Sequence, residues 1–68
     1  MKKMSVSLSG HQTSISLEQE FITELQKIAT ADNRPVAAII SEIDATRDRT
    51  GNLSSAVRIY VLRRVMKN

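Results

Sequence analysis

Gln12-Thr13-Ser14-Ile15-Ser16-Leu17 runs straight into Glu18-Gln19-Glu20-Phe21. The first six residues alternate polar and apolar with the period of a strand, and the pattern then switches to the period of a helix. Ile15 and Leu17 are placed to turn inward. Gln12, Ser14 and Ser16 are placed to face outward, all able to hydrogen-bond and none charged. So short a strand cannot satisfy its own edge, and in so small a chain a second copy is the expected source of a partner strand. A ribbon with such an outer face suits the edges of bases in a DNA groove.

Sixty-eight residues make one domain, 1–68. A chain of this length buries only about 60% of the surface that its unfolded form exposes. Disulfides, a metal or oligomerisation are the usual remedies. There is no cysteine, and a single histidine is a poor basis for a structural zinc site. Yet 41% of the residues are apolar, mostly aliphatic, with Phe21 and Tyr60 the only aromatics. A homodimer is therefore expected, with no cofactor and no metal. No apolar run is long enough to cross a membrane. Met1-Lys2-Lys3 is not followed by the apolar stretch of a signal peptide, so the cytoplasm is the expected location.

The formal net charge of +3 is unevenly spread. Residues 1–17 carry +2, residues 18–51 carry −3 with all seven acids, and residues 52–68 carry +4. A basic strand segment beside an acidic first helix suits a protein whose ribbon side meets phosphate. Arg63, Arg64 and Lys67 read more simply as cations complementing a helix C-terminus.

Ser5 to Leu8 also alternates, and Ser9-Gly10-His11 interrupts it, with Gly10 suited to a positive φ. Residues 5–8 therefore either fold back on 12–17 as a hairpin, or 5–17 form one interrupted strand paired between chains. A first helix is expected over about 18–32, with Phe21, Ile22, Leu25, Ile28 and Ala29 in one stripe. Ser16 and Gln19 read as its capping box, and Asn33 as a left-handed terminator. A second helix follows over about 35–47, with Pro35 in its first turn and Val36, Ile39, Ile40 and Ile43 as its stripe. Asp48-Arg49-Thr50-Gly51 is a loop. Asn52 caps a third helix over about 53–66. That helix is apolar over much of its circumference and is expected to touch more than one neighbour.

A strand and helices in this order, with a short joint between the first two helices, resemble the ribbon-helix-helix family of bacterial repressors. The Thr13–Leu17 strand, the Phe21/Leu25/Ile28 stripe and Val36/Ile39/Ile40/Ile43 carry the resemblance. More closely, Ser5-Val6-Ser7-Leu8-Ser9-Gly10-His11-Gln12-Thr13-Ser14 and Asn52-Leu53-Ser54-Ser55-Ala56-Val57-Arg58 are similar to a group of short bacterial members with a third helix. The resemblance implies a mostly α fold with an N-terminal strand, an intertwined homodimer, and a two-stranded ribbon in the major groove of double-stranded DNA. Base contacts then fall to Gln12, Ser14 and Ser16. Phosphate contacts fall to Arg34, Pro35 and Val36, where a helix N-terminus presents free N–H groups to an anion. Lys2, Lys3 and His11 assist from the end of the ribbon. The pattern departs from the family in having no Arg or Lys at the centre of the reading strand. It also departs at Pro35, which lacks an N–H.

Catalysis finds no support in the residues: there is no nucleophile–base–acid set and no glycine-rich phosphate loop. The rival reading is a small dimeric adaptor or antitoxin-like module that holds a protein on its third helix. A helix-turn-helix built from the second and third helices fits poorly, because the Thr46–Asn52 joint is long.

Overall fold

The computed structural model describes residues 1–8, 10–47 and 52–67. Two antiparallel strands, β1 (Lys2–Leu8) and β2 (His11–Leu17), are followed by three helices, α1 (Gln19–Ala31), α2 (Val36–Thr46) and α3 (Leu53–Met66). The strand expected over 5–17 is thus two strands, and the partner of β2 is the chain's own N-terminal segment. Pairing runs in unbroken register from Leu8 opposite His11 to Lys2 opposite Leu17. Gly10 makes the reversal possible, with φ at 84°, a conformation that side chains with a Cβ resist. The loop expected at 48–51 lies outside the described residues, as does Ser9.

Strand alternation decides which face of the ribbon is buried. Val6 and Leu8 from β1, with Ile15 and Leu17 from β2, turn onto the helices and are buried, and Met4 packs beside them. β1 lies on α2 and β2 on α3, while the helices also pack on one another. Ile22, Leu25, Ile28 and Ala29 of α1 meet Ile39, Ile40 and Ile43 of α2 and Leu53, Val57 and Val61 of α3 in one aliphatic core. Among the described residues the core contains no polar or charged side chain. Each fully buried leucine or isoleucine contributes about 1.5–3 kcal/mol relative to exposure, so this interior is the main source of stability.

Helix ends follow local chemistry, with two corrections to the sequence reading. Ser16 does not cap α1, because it is still paired in the ribbon opposite Lys3. Glu18 is the N-cap instead and uses only its backbone, its carbonyl accepting from Phe21 and Ile22 at 3.0 and 3.1 Å. The Gln19 amide donates to Thr23 Oγ1 at 3.1 Å and does not reach back. Pro35 likewise stands just before α2 as its N-cap, with ψ at 150°, and is not in the first turn. Asn33 takes the left-handed position, φ 55°, at the end of α1. There Asn33 N–H donates to Thr30 O and Arg34 N–H to Ala29 O, at 3.1 and 2.9 Å, closing the helix. Asn52 Oδ1 accepts from Ser55 N–H at 2.7 Å and caps α3.

Candidate nucleic-acid interface

Pairing within the chain builds a two-strand outer face from residues of opposite parity. Lys3 stands opposite Ser16, Ser5 opposite Ser14 and Ser7 opposite Gln12. Lys3, Ser5, Ser7, Gln12 and Ser14 are exposed, and Ser16 is half-buried. All six carry hydrogen-bonding groups, one is a cation, and none is an acid. Gln12, Ser14 and Ser16 therefore do share a face, as alternation predicts. Ser5 and Ser7 join them, which the sequence reading did not foresee. Their alternation was visible, but the register that sets them opposite Ser14 and Gln12 was not.

Lys2 pairs with Leu17 at the open end of the ribbon and is exposed there. The backbone of His11 pairs with Leu8 at the closed end. Its side chain lies outside the described residues. The open end would face an acid, Glu18, were that charge not matched. Arg58 of α3 donates from Nε to Glu18 Oε1 at 2.9 Å and from Nη2 to the Ser16 carbonyl at 3.4 Å. The hydrogen bond from Arg58 is the chief reason that the Glu18 carboxyl sits below its usual pKa. Arg58 thus balances the Glu18 charge beside the ribbon and ties the ribbon's edge to the helices.

Arg34, Pro35 and Val36 lie at a second place, the joint between α1 and α2. A shallow recess there is lined by Gln26, Thr30, Asn33, Arg34, Pro35 and Val36, among others. Ala38 and Ile39 N–H groups donate to the Pro35 carbonyl at 3.1 and 3.4 Å. The earlier first-turn amides, of Val36 and Ala37, have no carbonyl four residues back within the helix. Arg34 is not a free cation. Its Nη2 lies 2.7 Å from Glu42 Oε2 and 3.4 Å from the Ala38 carbonyl. The pair is partly exposed, and such pairs are worth about 0–1 kcal/mol, so an anion could displace Glu42 at small cost.

The C-terminal cations divide in two. Arg64 makes a fork on Asp32, 2.7 Å from Nη1 to Oδ2 and 2.8 Å from Nη2 to Oδ1, and Nη1 also donates to the Tyr60 hydroxyl at 3.0 Å. Hydrogen bonding to Asp32 first, and to Tyr60 second, drives the Arg64 pKa further up, and the same fork holds the Asp32 carboxyl below its usual range. Arg64 is therefore a clamp between α3 and the end of α1, beyond the dipole role read from sequence. Among the described residues, the lysines and arginines without an acidic partner are Lys2 and Lys3 at the ribbon's open end, and Arg63 and Lys67 at the end of α3.

A family model described as a ribbon-helix-helix domain matches residues 1–65. Comparison with curated proteins and with solved structures returned no match. No helix among the described residues is long and apolar enough to cross a membrane.

Proposed function

Since this chain belongs to the ribbon-helix-helix family, whose domains are typically non-enzymatic modules that generally bind DNA and form dimers, we propose that it is a cytoplasmic, homodimeric transcriptional regulator that reads a DNA operator with its β1–β2 ribbon. The observation that carries the reading is the outer face of the hairpin: six hydrogen-bonding side chains, one of them Lys3, over an inner face whose Val6, Leu8, Ile15 and Leu17 are buried in the core. A major groove about 12 Å wide admits a two-stranded ribbon. Gln12 can pair with adenine through its amide oxygen and its amide N–H together, and Ser14 and Ser16 can serve either kind of base edge. Ser5 and Ser7 add short contacts from the second strand.

Affinity comes from the backbone of the duplex. Lys2 and Lys3 meet phosphate from the open end and His11 from the closed end. The first-turn amides around Val36, with Pro35 fixing the cap and Arg34 exchanging Glu42 for phosphate, form the second contact. Repression then follows from occupancy of the operator. Selection of bound fragments from random duplex DNA tests the reading. A recurrent site supports it, whereas fragments with no common sequence contradict sequence-specific readout.

A further inference from the structure

α2 and α3 leave an open recess of about 480 Å³ between them, within the range of roughly 300–1,000 Å³ that small-molecule sites occupy. α3 supplies Ser55, Ala56, Ile59, Tyr60 and Arg63 to it, at i, i+1, i+4, i+5 and i+8 and so on one side of the helix. α2 supplies Ile43, Thr46 and Arg47, again from one side. The recess is therefore a product of two helix faces and lies apart from the ribbon's outer face.

Its apolar part is Ile43, which is buried, Ala56 and Tyr60, which are half-buried against the core, and Ile59, which stays 49% exposed. The Tyr60 hydroxyl is already taken up by Arg64, which donates to it at 3.0 Å and lies 5.8 Å from the ring centroid. The ring is what Tyr60 offers the recess. The polar part holds two arginines and, among the described residues, no acid. Arg47 is ion-paired with Asp44 at 2.9 Å. Arg63, one turn beyond Ile59, has no acidic partner among the described residues. The result is an apolar trough beside a single unbalanced cation.

We infer that the α2–α3 recess binds a small carboxylic acid with a hydrocarbon body, its carboxylate on Arg63 and its chain along Ile59, Ala56 and Ile43. One unbalanced cation matches one negative charge. A dianion such as phosphate would leave a charge unmatched and gain nothing from the apolar wall. A wholly apolar guest would leave Arg63 without a partner. Ligand sites of this kind combine a mostly apolar lining with a few polar groups that fix orientation, which is the division found here. The inference goes beyond the function proposed above and depends on no contact with DNA.

Residue-resolved NMR of the isotope-labelled full chain, without DNA, tests it by titration with hexanoate and, in parallel, with 1-hexanol. Hexanoate should give saturable shifts centred on Ile43, Ala56 and Ile59. It should bind roughly threefold to fivefold tighter than the alcohol, the factor that an exposed ion pair supplies. Arg63→Gln should bring hexanoate to the level of hexanol and leave hexanol unchanged. Ile59→Glu should abolish hexanoate binding by setting a like charge in the trough, and unchanged signals from β1, β2 and α1 would show that its fold is kept. Shifts that rise linearly with concentration, or that are as large at Leu62 and Val65, mean non-specific contact and overturn the site. An Arg63→Gln protein that still prefers hexanoate to hexanol overturns the assignment of an acid as the ligand.

Discussion

Arg58 of α3 grips Glu18 at the start of α1, Nε to Oε1 at 2.9 Å, while its other arm reaches the Ser16 carbonyl at the edge of β2. One side chain thereby joins three elements that meet where the ribbon ends. Glu18 is 43% exposed, so the charge attraction itself is heavily screened. The positional effect is larger, because Arg58 fixes the ribbon against the helices. Arg58→Ala should lower the thermal midpoint by a few degrees, and Arg58→Lys should restore little, since an ammonium cannot make the same fork. Thermal unfolding of the three proteins checks this.

Acid should destabilise the fold through two carboxylates. Glu18 and Asp32 are both held below their ordinary pKa values of 4.5 and 3.8, by hydrogen bonds from Arg58 and Arg64 respectively. A depressed pKa means that the unfolded chain takes up protons first. The stabilisation is complete above about pH 4.5 and is lost as pH falls through the folded-state values. Thermal midpoints measured from neutral pH downward should fall in that window. The double variant Glu18→Gln, Asp32→Asn should start lower and show a flatter acid limb.

Core and ribbon face should respond oppositely to truncation. Leu25 is fully buried among the three helices, and Leu25→Ala should cost about 2–5 kcal/mol. Ser14→Ala on the outer face removes no buried contact and should stay within about 0.5 kcal/mol. Denaturant titration of both variants distinguishes the supporting face from the reading face. A large loss in Ser14→Ala would mean that the outer face is structural.

Gly10 offers a clean test of backbone strain. A Cβ there would meet nothing within 4 Å, yet φ is +84°. Gly10→Ala should therefore cost roughly 1–2 kcal/mol from conformation alone. D-alanine at the same position should lose less, because its preferred φ is positive. Equal losses for both forms would show that crowding, not φ, governs the turn.

Much of this was legible in the residues, for reasons that differ by element. The limits of α3 follow from Asn52 and an unbroken apolar pattern, and Asn33 marks the end of α1 because few other residues tolerate its φ. The outward set Gln12, Ser14 and Ser16 follows from period-two alternation. The pairing of β1 with β2 did not follow, since register is a long-range choice between two arrangements that alternate equally well. Lys2 and Lys3 fall outside the strand expected over 5–17, at the ribbon's end, but pairing with Leu17 and Ser16 makes them strand residues. Ser16 looked like a cap only while its place in the ribbon was unknown. Arg58–Glu18 and Arg64–Asp32 bridge 40 and 32 positions, beyond any local pattern.

The ribbon face can be tested most directly by measuring affinity for duplex DNA against salt concentration, for the parent and for the variant with Gln12, Ser14 and Ser16 all changed to Ala. Both proteins should lose affinity steeply as salt rises, with log–log slopes near −0.9 for each phosphate neutralised, because Lys2, Lys3 and the α2 cap are untouched. The parent should prefer its selected site over a scrambled duplex, and the variant should bind the two alike. A variant that discriminates as well as the parent, or a parent whose binding is indifferent to salt, would contradict the reading of this ribbon as the DNA-contacting face.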